Sequence, residues 1–169
     1  TEVMFGDSPR TLLHLVLAYL DEIDEAGARR LRERIEPHLG QDAEWENPAA
    51  AYEPALSIGL SPAAAALRAE TEELISELRV RRPELVDALG EARFLEAEHF
   101  AVEARQLLTY HAAVAREGHD RYARLMGIRD AIMADNLARI VARERGRGRV
   151  LAFAHNSHLK KDRAEWQSH

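Results

Sequence analysis

Ser61-Pro62-Ala63-Ala64-Ala65-Ala66-Leu67-Arg68-Ala69-Glu70-Thr71-Glu72-Glu73-Leu74-Ile75-Ser76-Glu77-Leu78 reads as one amphipathic helix. Ser61 carries a short oxygen-bearing side chain that can accept from a first-turn N–H, and Pro62 follows where a missing N–H does no harm. Leu67, Leu74, Ile75 and Leu78 return to one face at helical spacing. The charges between Glu70 and Arg82 form a solvent face laced with i,i+4 pairs.

The same signals recur on both sides. Ser8-Pro9 opens a first helix whose stripe is Leu12, Val16, Leu20 and Ile23, widened by Leu13 and Tyr19. Asp24 caps a second helix through Leu31 and Ile35 to about Pro37. From Gly40 to Leu60 the breakers Asn47-Pro48, Glu53-Pro54 and Gly59 predict a long irregular connection, with a short helical turn near Trp45. Beyond the central helix a boundary falls near Arg82-Pro83, because the residue before proline is pushed out of helical geometry. A long helix-forming stretch covers 84–117, with Gly90 as its breaking point and Gly118 as its stop. The last helix runs from His119 to about Arg145, before Gly146-Arg147-Gly148.

The two ends read differently. Val150-Leu151-Ala152-Phe153-Ala154 is a short continuous apolar run between a glycine turn and a polar cluster, the pattern of a strand buried on both faces. Val3-Met4-Phe5 reads as the tail of a second strand. Buried strands need paired neighbours for their backbone groups. The expected architecture is therefore mainly α, one helical domain over residues 1–169 with a short terminal β-strand pair. In that layout 1–6 is a strand end, 8–145 is helical, 149–154 is a strand and 155–169 is a loop and tail. The helices form an insertion or bundle within a larger sheet-containing domain. Exposed strand edges at both ends predict self-association.

Composition narrows the function. With 46% hydrophobic and 31% charged residues the chain has the balance of a globular domain, which excludes wholesale disorder. A net charge of −6 argues against a dedicated nucleic-acid partner. The absence of cysteine excludes a disulfide scaffold, a cysteine zinc site and a thiol nucleophile. No apolar run is long enough to span a membrane, and no membrane partner is expected. Lys160 and Lys161 are the only lysines among 23 basic residues, a bias of genomic composition rather than of recognition. The sequence starts at Thr1, by processing or excision, so a missing leader carries little weight; a cytoplasmic location is expected.

Three constellations could carry chemistry. Ala154-His155-Asn156-Ser157-His158 follows directly on the apolar run, and ligands in open α/β sheets sit beyond strand ends. Two imidazoles there could act as a general base, a transition-state donor or metal ligands, with Asn156 orienting a ring or a substrate carbonyl. An ordinary polar loop is the competing reading. On the preceding helix Tyr122, Met126, Arg129, Met133, Asn136 and Ile140 share one stripe. Arg129 and Asn136, two turns apart, either brace the histidine loop or serve structure, with Arg129 paired to Asp130 or Asp135. Glu96-Ala97-Glu98-His99 has the Glu-x-x-His spacing of di-iron bundles, but such sites need a second copy and further glutamates. Nucleophile elbows, phosphate loops and zinc-helix motifs are absent from the sequence.

Arg129-Asp130-Ala131-Ile132-Met133-Ala134-Asp135-Asn136, followed by Ala154-His155-Asn156-Ser157-His158, resembles the erythromycin esterase-like family, whose pattern is Arg-Asp-x-x-Met-Ala-x-Asn and then a strand ending in Ala-His-Asn-x-His. Phe5-Gly6-Asp7, Leu12-Leu13 and Leu17-x-Tyr19-Leu20 resemble it at the opening. The likeness is close over 129–158 and loose elsewhere. It implies a piece of an α/β hydrolase-like domain acting on a small-molecule ester or lactone, and opening a macrolide ring with activated water and no serine acyl-enzyme. His155 and His158 would be catalytic, Asn156, Arg129 and Asn136 orienting. No cofactor is implied; a divalent metal held by His155 and His158 would need carboxylates from elsewhere. The family's principal base histidine belongs to an N-terminal Gly-Glu-x-x-His-type segment, and that motif does not occur here, so the expectation is a fragment inactive alone. A non-enzymatic helical module that binds a partner or acts as a lid is the alternative.

Overall fold

The computed structural model describes residues 6–153. Seven α-helices follow one another among them: α1 (Arg10–Asp21), α2 (Glu25–Ile35), α3 (Asp42–Trp45), α4 (Pro62–Val80), α5 (Arg82–Leu89), α6 (Glu91–Val114) and α7 (Arg121–Arg143). Short 3-10 turns at Glu36–His38, Pro48–Ala51, Pro54–Leu56 and Ile58–Leu60 make up most of the irregular connection before α4. The chain forms two compact units, Thr1–Glu117 and Gly118–His169.

Side-chain caps fix the starts of α2 and α4. Asp24 Oδ1 accepts from Gly27 N–H at 2.9 Å, and Ser61 Oγ accepts from Ala64 N–H at 3.1 Å. Each satisfies one of the N–H groups that a helix start leaves without an intrahelical acceptor. The first helix departs from expectation. Pro9 is its N-cap and its carbonyl accepts from Leu13 N–H at 3.1 Å, while Ser8 Oγ takes Arg10 N–H. Helix α4 ends one residue earlier than the proline rule places the break. Arg81 is the junction, and both Arg82 and Pro83 sit in the first turn of α5, where proline is tolerated. Gly90, at φ +85°, separates α5 from α6, a backbone conformation that side chains with a Cβ resist.

In the first unit α6 is the central element. It packs against α1, α4, α5 and the Ile58–Leu60 turn, so it is apolar on more than one face. Phe94, Ala97, Ala101, Val102, Ala104, Leu107 and Leu108 are all buried. The stripe foreseen on α1 is in place, with Leu13 and Val16 fully covered and Ile23 half-buried beyond the helix end. Leu67, Leu74, Ile75 and Leu78 of α4 and Leu31 and Ile35 of α2 complete the core. Tyr19 O–H donates to the Leu85 carbonyl at 3.4 Å, and Arg93 lies over the Tyr19 ring while pairing twice with Glu22. Arg81 holds the α4–α5 junction through Glu84 at 2.7 Å, Glu77 at 3.1 Å and Asp24 at 3.6 Å.

The second unit contributes α7 and the glycine-bearing segment after it. No strand occurs among the described residues, which corrects the expectation of a terminal pair. Over 149–153 the backbone is irregular, and Leu151 and Phe153 are 92% and 99% exposed. The physical reason is that no strand among the described residues pairs with it: without a paired neighbour a single apolar run gains neither hydrogen bonds nor packing as a strand. The rest of that run, Ala154, and the strand end at 1–5 lie outside the described residues, and Gly6 is in a turn.

Candidate functional site

His155, Asn156 and His158 lie outside the described residues. Arg129 and Asn136 are placed on α7, seven positions and so about 10 Å apart along its axis. Both are half-buried, as are Met126 and Met133 between and beside them. The ends of that stripe are open, since Tyr122 is 60% and Ile140 39% exposed. The stripe is therefore a half-covered face rather than a core face.

The first unit contains a feature that the sequence reading passed over, a cavity of about 380 Å³. Its walls come from three places: Gly6 and Asp7 leading into α1, the Trp45–Ala51 segment, and Tyr110, His111 and Val114 at the end of α6. Trp45 is fixed by donation of its indole N–H to the Leu39 carbonyl at 2.7 Å, and Asn47 Oδ1 accepts from Ala49 N–H to start the Pro48–Ala51 turn. Glu46 Oε1 accepts from Ser8 N–H at 3.3 Å, which ties this segment to the start of α1.

His111 is the buried polar group of the cavity wall, 3% exposed. Its Nε2 lies 2.9 Å from the Asp7 carbonyl. A carbonyl can only accept, so Nε2 carries the proton and Nδ1 is the basic nitrogen of the neutral ring. Burial holds the imidazole below its ordinary pKa, against smaller opposing effects of the Asp7 hydrogen bond and the Asp7 and Glu46 charges. The Trp45 ring meets the imidazole edge-on at 5.1 Å between centroids. From behind, the Ile58–Leu60 turn approaches so closely that a Cβ on Gly59 would stand 2.0 Å from the His111 carbonyl oxygen. Ser57 O–H donates to the same carbonyl at 3.4 Å, and Arg68 Nη1 donates to the Gly59 carbonyl at 2.7 Å. The residue is thus gripped at its ring and at its backbone. One signal for it was present in the sequence: His111 stands four positions after Leu107 and three after Leu108, a titratable residue extending an apolar face.

The Glu-x-x-His spacing resolves differently. His99 Nε2 pairs with Glu103 Oε1 at 3.1 Å, one turn onward. Among the described residues no three His, Asp or Glu side chains gather as a metal ion would require.

Compared with known families, residues 6–169 match the family model described as Erythromycin esterase. No curated protein and no solved structure matches the chain.

Proposed function

The chain belongs to the erythromycin esterase family, and on that premise we propose that it is part of a hydrolase that opens a macrolide lactone or related ester. An imidazole of the His155-Asn156-Ser157-His158 motif takes a proton from water as the water oxygen attacks the acyl carbon. The acyl–oxygen bond then breaks, and the departing alkoxide receives a proton to give a hydroxy acid. Histidine suits this because its ordinary pKa lies near neutrality, so it can accept and return the proton at one pH. His155 and His158 carry that role, Asn156 orients one of the rings or the substrate carbonyl, and Arg129 and Asn136 brace the loop. No cofactor is invoked. The observation that carries the reading is the family match over 6–169, which includes the histidine motif and the α7 motif together.

The 169-residue chain by itself should be inert, because the Gly-Glu-x-x-His-type motif that supplies the family's principal base does not occur in it. The test is lactone hydrolysis by the longest natural form containing this chain, with His155→Ala and His158→Ala beside it and circular dichroism to confirm folding. Loss of about 10²-fold or more in turnover with the fold intact supports the reading. Unchanged turnover in both variants sinks it, and histidine-dependent hydrolysis by the 169-residue chain sinks the claim of inertness.

A second reading has one observation behind it. Leu137, Ile140 and Val141 on α7, with Leu151 and Phe153, leave apolar side chains uncovered. Such surface is what a helical module presents to a partner, to another copy or to a domain that it covers as a lid. If that is its whole role, His155→Ala leaves the protein's function unmoved.

A further inference from the structure

We propose that Arg68 and Arg116 form a binding site for a phosphate group, free or carried on a small organic molecule. The inference is independent of the hydrolase reading and lies wholly within the first unit. Arg68 is on α4, and Arg116 stands just beyond the end of α6. The Ile58–Leu60 turn brings them together. Arg68 Nη1 donates to the Gly59 carbonyl at 2.7 Å. Gly59 is in turn pressed on the α6 backbone, where an added Cβ would meet Ala112 N at 2.7 Å. Arg116 follows Ala112 by four positions, one helical turn onward, and its N–H bonds to the Ala113 carbonyl at 3.2 Å. The two charges feel each other: burial first, and then the Arg116 charge, hold the Arg68 guanidinium below its ordinary pKa.

Like charges so placed repel, and no carboxylate among the described residues pairs with either arginine. Glu72, one turn beyond Arg68 on α4, is paired with Arg105 at 3.7 Å. Glu117 adjoins Arg116 in the chain without forming an ion pair with it. The carbonyl end of α6 supplies about half a negative charge, and the start of α4 at Ser61, two residues after Gly59, about half a positive one. The site therefore keeps about two positive charges, which matches a phosphate dianion better than a carboxylate. Its donors are open as well. Beyond the bond to Gly59 the Arg68 fork makes no hydrogen bond among the described residues, and the exposed Arg116 guanidinium makes none. Planar guanidinium forks suit the oxygens of phosphate. Leu60, next to Gly59 in the chain, is 47% exposed and offers apolar surface to the organic part of an ester.

The experiment is an NMR titration of the 169-residue chain near pH 7.5 with inorganic phosphate, phenyl phosphate and benzoate. The Gly59 amide and the Cδ protons of Arg68 and Arg116 report on the site. Both phosphates should shift all three signals, with dissociation constants of about 1 mM or tighter. Benzoate should bind at least tenfold more weakly, and added salt should weaken the phosphates. Tighter binding of phenyl phosphate than of inorganic phosphate assigns the site to an ester and equal binding assigns it to free phosphate; either supports the proposal. Arg116→Gln is the deciding variant, because an exposed side chain can be exchanged without disturbing the core, and it should reduce phosphate affinity about tenfold. Arg29→Gln, at an exposed arginine of α2, should leave that affinity unchanged. Benzoate bound as tightly as phosphate, undiminished affinity in Arg116→Gln, an equal loss in Arg29→Gln, or no shift at Gly59 would each overturn the proposal.

Discussion

Gly59→Ala is the most demanding test of how α6 is held. The backbone at Gly59 has an ordinary φ, so alanine meets no conformational penalty there and any cost comes from contact. Its Cβ would stand 2.0 Å from the His111 carbonyl oxygen, 2.2 Å from the carbonyl carbon and 2.7 Å from Ala112 N. All three are backbone atoms, which cannot rotate away. Restoring an ordinary contact of 3.4 Å requires the turn and the helix to part by about 1.4 Å. Overpacking of this kind costs about 1–3 kcal/mol. The same separation stretches the Arg68–Gly59 and Ser57–His111 hydrogen bonds, each worth about 1 kcal/mol. The expected loss is about 3 kcal/mol or more in urea denaturation, equivalent to a Tm lower by about 6–12 °C. Gly127→Ala in α7 is the internal control, because nothing lies within 4 Å of its added Cβ. There the same exchange should stabilise by about 0.5–1 kcal/mol through helix propensity. A Gly59→Ala protein within about 0.5 kcal/mol of the parent would refute the close approach and, with it, the grip on His111.

Further outcomes follow from the same contacts. His111 is kept neutral when folded but takes a proton near pH 6.5 when unfolded, so the unfolded state binds more protons below that pH. Its contribution is complete above pH 6.5 and is lost as pH falls, at up to about 1.4 kcal/mol per pH unit; urea melts of His111→Gln should show a shallower pH dependence than the parent, and an equal slope contradicts the assignment. Phe94→Ala empties a fully buried site and should cost about 3–5 kcal/mol in the same assay; under 1 kcal/mol would mean that Phe94 is not in the core. Arg81→Ala releases Glu77, Glu84 and Asp24 at the α4–α5 junction, with an expected loss of about 1 kcal/mol that shrinks in high salt. A salt-independent loss would point instead to packing of the arginine stem.

What could be read from the amino acids was local. Ser61 and Asp24 announce helix starts because their side chains do the capping themselves, with no help from distant residues. Gly90 announces a break for the same reason, its backbone conformation being a property of the residue. Pro9 was less legible, since Ser8 offers its Oγ to Arg10 N–H rather than deeper into the helix and the proline moves to the cap. The run after Gly148 shows the limit of periodicity, which registers apolar residues and not whether a ladder exists to receive them. His111 shows it again. An imidazole acquires its meaning here from Asp7, Trp45 and Gly59, residues at least 52 positions away in the chain, and Gly59 itself read only as a breaker. The family was legible, because the stretches 129–136 and 154–158 that carry the resemblance are short patterns close together in sequence.

The reliance of α1 on α6 bears on how the protein is made. Leu13, Leu17 and Leu20 are at most 1% exposed in the finished fold, and α1 packs chiefly on α6 and α2. Seventy positions separate Asp21 from Glu91, where α6 begins. At about 5–20 residues per second, the leucine face of α1 leaves the ribosome roughly 4–14 s before the start of its main partner does. Of its two chief partners only α2 is at hand during that interval. The nascent chain is therefore a natural client for chaperones at the tunnel exit, and slow codons between the two helices would lengthen its exposure without altering one contact of the mature protein.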